Sequence, residues 1–291
     1  MPELAEVEYV ARQLRDAVIG AQITRVTLAW PRAIAHPAAP DFIDEVTGRT
    51  IEAIDRRGKL LLLHLSGAGI LTVHRRMAGN LRLLEAAAAD EPYLIATFDL
   101  ADGRRLIYSD PRKFGRLAFW SAAELPGALA DYGTEPLGPD FTEARLAQIL
   151  MGRDRALKPL LLDQSHIAGL GNIYTDEALF RAGLHPLRHA STLTPAEIAR
   201  LHEAIIAVLE IGIAHGGTTF GRHQGLYGEA GTNLDHLDIY QHEGQPCVRC
   251  GTTIQRIVVG QRGTRFCPTC QPTPDREGSP RPLSLKDAKH P

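Results

Sequence analysis

The sequence predicts an α+β protein: mostly antiparallel strands in a sandwich or barrel behind a leading helix, then a helical region, then a small cysteine-bound hairpin. Three observations carry that expectation. Short apolar runs bounded by Gly, Pro or Asp fill residues 23–120, with no long helical pattern between them. Helical periodicity takes over from residue 143. All four cysteines fall between residues 247 and 270.

Residues 5–19 read as the leading helix, with Val7, Val10, Leu14 and Val18 on one stripe and Gly20 as its stop. Strand-like runs follow at Ile23–Trp30, Leu60–Leu65, Ile70–His74, Tyr93–Leu100, Leu106–Tyr108 and Leu117–Trp120. The strand-rich domain is therefore bounded at 1–121, and the resemblance described below implies a β-sandwich there. Pro126, Gly127, Gly133, Pro136, Gly138 and Pro139 mark a connecting segment over 122–141. Helical patterns at Glu143–Met151, Leu157–Gln164, Ile173–Ala182 and Pro195–Ala214 define a second domain over 142–236, which ends in a glycine-rich loop. The cysteine module occupies 237–271. Residues 272–291 contain five prolines and few large apolar side chains, and they read as a disordered tail.

At 291 residues the chain is long enough for two cores. It is 44% hydrophobic and 23% charged, the profile of a soluble globular protein. No apolar run reaches the roughly 18 residues of a membrane span. The opening stretch lacks the basic and apolar regions of a signal peptide. A secreted disulfide framework rarely confines its cysteines to one short window. A cytoplasmic monomer with no membrane partner is the expectation. The net charge of −2, taken alone, argues against nucleic acid. The distribution says more. Between Cys247 and Gln271 lie four arginines (Arg249, Arg256, Arg262 and Arg265) and no acid. A local basic face of that kind can hold phosphates on an otherwise acidic protein.

The cysteines are spaced Cys247-x2-Cys250-x16-Cys267-x2-Cys270. Two such knuckles can close a tetrahedral Zn–S4 site. With all four positions filled by protein, the one zinc is structural. The segment between the knuckles reads as a hairpin, with Ile254–Val259, a turn near Gly260–Gly263, then Arg265–Phe266. Zinc ribbons serve protein contacts about as often as nucleic acid. Arg262 at the hairpin tip favours the latter, because it could reach a phosphate.

The chain opens Met1-Pro2-Glu3-Leu4-Ala5-Glu6. Methionine before a small residue is usually removed, which would leave Pro2 with a secondary α-amine. Such an amine has an ordinary pKa of about 7.7–8.0, so a useful fraction is neutral at physiological pH. The positive end of the helix favours the neutral form, while Glu3 and Glu6 oppose it. A neutral amine beside carboxylates can attack a sugar carbon and form a Schiff base. The plainer reading also stands: Met-Pro is a common start, and acids are favoured in a first helical turn.

Further motifs bear on that choice. Pro2-Glu3-Leu4-Ala5-Glu6-Val7-Glu8 closely resembles the opening of the formamidopyrimidine-DNA glycosylase family, which includes the endonuclease VIII branch. The resemblance continues at Arg57-Gly58-Lys59, His74-Arg75-Arg76-Met77-Ala78-Gly79 and Asp110-Pro111-Arg112-Lys113-Phe114-Gly115. It extends through Leu157-Lys158-Pro159, Gly169-Leu170-Gly171-Asn172-Ile173-Tyr174, Gly216-Gly217-Thr218-Thr219 and the cysteine module. The matches run in family order from residue 2 to residue 271.

The resemblance implies a bifunctional glycosylase and abasic-site lyase of bacterial type, acting on damaged double-stranded DNA. It also implies that the helical domain holds a helix–two-turn–helix motif, with DNA in the cleft between the domains. By the same resemblance Pro2 is the nucleophile and Glu3 the general acid/base, while Glu6 supports proton transfer and Lys59 is a catalytic lysine on a strand hairpin. Met77, Arg112 and Phe114 fill the space left by a base rotated out of the duplex. Lys113 is expected on phosphate. Asn172 opens a helix whose N–H groups could bind an anion, Lys158 assists, and Arg262 clamps the lesion phosphates.

The chain also departs from the family. Ala5 stands where proline is frequent, which would loosen the first turn. Arg75 stands where an apolar residue is common, and Arg265 where an aromatic one is. The loop Thr218–Asn233 diverges most, and in the purine-specific branch it folds over the flipped base. Leu4, Met77, the Arg112/Phe114 pair and Gly216–Thr219 favour oxidised purines, such as 8-oxoguanine and formamidopyrimidines. The alternatives are an endonuclease VIII-like enzyme for oxidised pyrimidines and a catalytically silent binder of damaged DNA.

Overall fold

The computed structural model describes residues 1–86, 88–89, 91–219 and 224–273. The leading helix α1 (Leu4–Val18) ends before Gly20, whose φ of +87° turns the chain. Its apolar stripe is divided between two cores. Val7, Val10, Ala11, Leu14 and Val18 pack into the sandwich. Leu4 and Ala5 pack into the helical half. The first turn is therefore a joint between the two halves. Ala5 does not loosen it, because that residue is fully buried and Glu3 and Glu6 close a capping box around it.

Among the described residues the sandwich has nine strands. Strands β1 (Ile23–Leu28), β7 (Leu94–Leu100), β8 (Arg105–Ser109) and β6 (Asn80–Leu84) form one sheet in that order. Strands β2 (Ile34–His36), β9 (Arg116–Ser121), β5 (Gly69–His74), β4 (Leu60–Leu65) and β3 (Ile51–Arg57) form the other. All pairs are antiparallel except β2 with β9. The antiparallel expectation holds, with that one exception at an edge. Strands β2, β3 and β6 and helix α2 (Ala39–Val46) were not anticipated. Their local patterns are weak: β3 buries Ile51 and Ile54 rather than alternate residues, and α2 buries only Phe42 and Val46.

Beyond a short α3 (Leu125–Leu129), the helical half contains α4 (Glu143–Leu150), α5 (Leu157–Leu161), α6 (Asn172–Ala182) and α7 (Pro195–Ala214). Helix α5 stops three residues short of the expected Gln164. Helix α7 is opened by a Thr194–Glu197 capping box with Pro195 at its first position. Strands β10 (Gln255–Val259) and β11 (Arg262–Phe266) make the hairpin between the cysteine knuckles.

Helix α6 holds these parts together. Its Glu177 carboxylate accepts the N–H groups of Asp238, Ile239 and Tyr240, which tethers the segment leading to the hairpin. Asp176 accepts Arg265 N–H at 3.1 Å and Lys158 Nζ at 2.6 Å. Among the described residues no helix is long and apolar enough to cross a membrane. Most of the expected tail, residues 274–291, lies outside the described residues.

Candidate active site and DNA-binding face

The start of α1 is buried against the start of α6. Glu3 is 3% exposed. Its carboxylate accepts the N–H groups of Ile173 at 2.9 Å and Tyr174 at 3.3 Å, so it sits on the positive end of α6. This corrects the expectation for Asn172: the helix N-terminus does attract an anion, but the anion here is Glu3. The glycines of Gly169-Leu170-Gly171 permit the approach. A Cβ on Gly169 would lie 2.7 Å from Leu4, and one on Gly171 would overlap the Glu3 carboxylate. Leu4 N–H also donates to Gly169 O at 3.0 Å.

Burial lifts the Glu3 carboxyl to about 7, against the opposing pull of Lys59 and the two helix N–H groups. It can therefore hold or release a proton near neutral pH. The terminal amine, carried by Met1 in this chain, is pushed the other way. Burial lowers it, and that effect exceeds the pull of Glu3 and Glu6.

Glu6 lies beside Glu3. One of its oxygens accepts Glu3 N–H at 2.7 Å. The other accepts Tyr174 OH at 2.7 Å and Thr218 N–H at 2.8 Å. Gly217 makes room, since a Cβ there would fall 2.6 Å from Glu6. Asn233 Nδ2 donates to Thr218 Oγ1 at 2.8 Å, so both ends of the divergent loop converge on Glu6. Residues 220–223 of that loop lie outside the described residues.

Lys59 follows the Gly58 turn between β3 and β4 and is 5% exposed. Its Nζ donates to Leu170 O at 2.7 Å. Burial lowers its pKa, opposed by Glu3 and Glu6 and reinforced by the charge of Arg262. It is therefore no solvated hairpin charge. It lies in the field of Glu3, Glu6 and Arg262.

Two turns project from the sandwich beside this site. In one, His74 Nδ1 accepts Arg76 N–H at 3.1 Å, and Met77 remains 39% exposed. In the other, Asp110 is fully buried and accepts the N–H groups of Arg112, Phe114 and Gly115 at 2.8–2.9 Å. Phe114 is 50% exposed, with the Arg112 guanidinium 4.7 Å over its ring. The Tyr108 hydroxyl lies beneath both turns, where a Cβ on Gly79 or Gly115 would strike it. Exposed large apolar groups on turns held this rigidly suit insertion into a base stack. Asp110 was missed as a site residue, although an Asp-Pro pair that accepts N–H groups further along is a recognisable turn signal.

The remaining expected DNA contacts divide. Arg262 is exposed, directly after the left-handed pair Gly260 and Gln261. Asn172 Nδ2 donates to Gly263 O at 3.1 Å, so it ties α6 to the hairpin that carries Arg262. Lys158 is a correction. It is fully buried, bound to Asp176 and 3.3 Å from Gly263 O, and faces no ligand directly. The motif Leu157-Lys158-Pro159 gave no sign that an acid in the second turn of another helix would enclose the lysine. Lys113 is exposed, with its Nζ 3.9 Å over the Trp30 ring. Arg265 replaces an aromatic residue by lying 4.6 Å over Tyr240 and pairing with Glu243 at 3.0 Å.

The four cysteine sulfurs lie within 4.8 Å of one another. Cys247 to Cys270 is 3.9 Å and Cys250 to Cys267 is 3.5 Å. A tetrahedral site with Zn–S near 2.3 Å has sulfur–sulfur edges of about 3.8 Å, so the donor set fits zinc. Backbone N–H groups of Arg249 and Cys270 point at Cys247 and Cys267 sulfurs, each at 3.4 Å.

A curated formamidopyrimidine-DNA glycosylase from Roseiflexus is 47% identical over 272 residues, covering 93% of this chain and 100% of the relative. This chain belongs to the formamidopyrimidine-DNA glycosylase family. The family's N-terminal domain model matches residues 1–117, its H2TH domain model matches 132–223, and a zinc finger found in FPG and IleRS matches 244–273. A formamidopyrimidine-DNA glycosylase from Chloroflexus aggregans is 48% identical and covers 93% of this chain and 98% of its own. Among solved structures, a Lactococcus lactis FPG mutant in complex with a Fapy-dG containing DNA superposes with a TM-score of 0.88. It is 38% identical and covers 94% of this chain and all of its own. As a member of the formamidopyrimidine-DNA glycosylase family, the chain is a base-excision-repair glycosylase with abasic-site lyase activity and one structural zinc.

Metal analysis should return about one zinc per chain. Stripping the zinc should weaken DNA binding before it disturbs the sandwich, because the small core of the cysteine module, around Ile239 and Ile254, packs with Phe180 of α6 and includes no residue of the sandwich. Zinc-free protein that bound and cut lesion DNA normally would separate the module from DNA binding.

Proposed function

We propose that the chain, after loss of Met1, excises oxidised purines from duplex DNA through a Schiff base on Pro2 and then cuts the strand. The observation that carries this reading is the pairing at the start of α1. Pro2 is buried at the start of α1 and directly precedes Glu3, a buried carboxyl held near pH 7. DNA would lie between the sandwich (1–121) and the helical and cysteine segments (142–236 and 237–271). Arg262 would hold phosphate there, with Asn172 positioning its hairpin. The protein is expected to act as a monomer in the cytoplasm.

The Pro2 nitrogen attacks the sugar C1′, and the base leaves with the electrons of the glycosidic bond while a proton is delivered to the departing side. Glu3 is the proton carrier, and Glu6, tied to it through the capping box, holds its orientation. The attached nitrogen loses its proton, and the C1′–O4′ bond then breaks with a proton delivered to O4′; this opens the sugar ring and leaves nitrogen and C1′ joined as an iminium, which acidifies the C2′ proton. Removal of that proton expels the 3′ phosphate, and a second elimination expels the 5′ phosphate. Water releases the sugar fragment and restores the amine. Lys59, buried in the field of Glu3 and Glu6, supplies positive charge at the lesion.

Borohydride should reduce the iminium to a covalent protein–DNA adduct with 8-oxoguanine opposite cytosine, and peptide mapping should place the link at the N-terminus. An adduct mapping to Lys59 would reassign the nucleophile. A second reading has its own observation: a Lactococcus lactis FPG was solved in complex with an oxidized pyrimidine containing DNA at a TM-score of 0.86. Adduct formation on thymine glycol but not on 8-oxoguanine would move the substrate class accordingly.

Met77→Ala should impair excision from intact duplex more than lysis of a preformed abasic site, because only the former requires a stacked base to be displaced. The difference is expected at about 1–2 kcal/mol, the scale of a few buried methylene contacts. Equal losses on both substrates would give Met77 a packing role instead.

A further inference from the structure

Away from the two projecting turns, arginines of the sandwich surface take acids as partners. Arg12 does so with Glu8, Arg25 with Asp99, Arg49 with Glu45 and Arg104 with Asp102. Arg32, Arg76, Arg112, Lys113 and Arg116 are exposed, and among the described residues none of them forms an ion pair. All but Arg32 lie on, or directly after, the turns that carry Met77 and Phe114. Unpaired cations gathered on one face are the electrostatic mark of a phosphate track. Arg32 shares that mark but has no place in the site described above.

Trp30 ties Arg32 to the Phe114 turn. The Lys113 Nζ stands 3.9 Å from the centre of the Trp30 ring, and the Arg32 guanidinium stands 5.5 Å from it. Trp30 is half-buried and packs against the sandwich core. Its N–H donates to Ile95 O at 3.2 Å, and its carbonyl accepts Ala33 N–H at 3.0 Å. Pro31 opens the short 3-10 turn Pro31–Ala33, whose Ala33 is buried. Arg32 is therefore presented from a fixed turn. The ring attracts both cations, which repel each other. A phosphate beside them relieves that repulsion, and the fixed turn reduces the ordering that binding must supply.

We propose that Arg32, seated on Trp30, is a further DNA-binding site that takes a phosphate of the strand opposite the lesion and extends the track beyond the Phe114 turn. Lys59 and Arg262 attend the lesion strand beside α1. Trp30 meets the site through the turn of Phe114, the ring that fills the vacated stack and so faces the orphaned base. The phosphate that Arg32 takes therefore belongs to the opposite strand. This rests on the reading above that DNA lies against that turn.

The test uses the full chain and a duplex with a tetrahydrofuran abasic analogue, which can be bound without being cut. Across a salt series, Arg32→Ala should reduce the slope of log Kd on log salt by about 0.9, the share of one phosphate. Phosphates of both strands are then neutralised one at a time as methylphosphonates. One position on the opposite strand should weaken binding by the parent about three- to tenfold, the scale of one charge-assisted contact. The same change should weaken Arg32→Ala by less than about twofold. Trp30→Leu should behave like Arg32→Ala, and Trp30→Phe, which keeps a ring face, should recover part of the loss. The chain's other tryptophan is Trp120, so Trp120→Phe leaves Trp30 as the sole indole emitter. Acrylamide quenching of that emission should fall when the duplex binds.

An unchanged salt slope for Arg32→Ala would overturn the site, and so would acrylamide access to Trp30 that DNA leaves unaltered. A phosphate on the lesion strand whose neutralisation costs the parent but not Arg32→Ala would overturn the strand assignment. Should Trp30→Leu fail to fold, Arg32→Ala changes only an exposed side chain and still decides. A parent protein that did not bind the duplex would refute the reading that DNA lies against the Phe114 turn. Binding by the parent that no change at Arg32 or Trp30 affects would leave that reading standing and refute the Arg32 site.

Discussion

Protein that retains Met1 should neither excise 8-oxoguanine nor cut at an abasic site. With Met1 in place the Pro2 nitrogen is part of a peptide bond and carries no usable lone pair. Loss of a covalent nucleophile costs on the order of 10⁶-fold where it has been measured in another enzyme, so both activities should fall to background. One added residue before Pro2 should do the same. Pro2→Gly, processed to a free terminus, still offers an amine, but a primary one without the proline ring's fixed geometry. Activity should fall without vanishing, and borohydride should still trap an adduct at the terminus. The measurement is gel resolution of intact strand, nicked strand and adduct, with mass spectrometry of the protein's first peptide. Robust cleavage by protein whose first peptide still carries Met1 would sink the Pro2 mechanism.

Glu3→Gln should separate the two activities. Glutamine keeps an oxygen for the Ile173 N–H, loses the acceptor for the Tyr174 N–H, and can neither deliver nor accept the proton. Excision of 8-oxoguanine should fall by about 10²- to 10⁴-fold, the usual contribution of a positioned acid or base. An abasic site has no base to protonate, so trapping there should survive much better. In the parent protein, base departure should decline above about pH 7, where Glu3 loses its proton, and this alkaline limb should be absent from the residual activity of the variant. Stability should respond as well. Between its ordinary 4.5 and the folded value of about 7, Glu3 binds a proton in the folded chain that the unfolded chain has released. Stability therefore falls as pH rises through that window. The unfolding temperature of Glu3→Gln relative to the parent should be higher above the window than below it. Equal pH dependence in the two proteins would mean that the carboxyl is not held near neutrality.

The two largest effects concern residues that the sequence already singled out, and the reason is local. Pro2, Glu3 and Glu6 lie within one helical turn, and their chemistry follows from residue type and position in that turn. The same holds for Cys247, Cys250, Cys267 and Cys270, whose spacing restricts them to one metal site. It holds too for α7, where a capping sequence precedes a sustained apolar period. Wherever neighbours in the chain decide the outcome, pattern and propensity were sufficient.

The tertiary structure decided whatever depends on a partner far away in the chain. Lys158 became a buried strut because Asp176 of another helix reaches it, and nothing in Leu157-Lys158-Pro159 encodes that meeting. The helix N-terminus behind Gly171 received Glu3, 170 residues distant, rather than an external phosphate. Strands β3 and β6 take their conformation from neighbours that complete the sheets, so five to seven residues of weak alternation carried too little signal alone. The charge states of Glu3 and Lys59 follow the same rule. A side chain's type sets its ordinary affinity for a proton, but desolvation and the charges brought around it by folding set the value it works at.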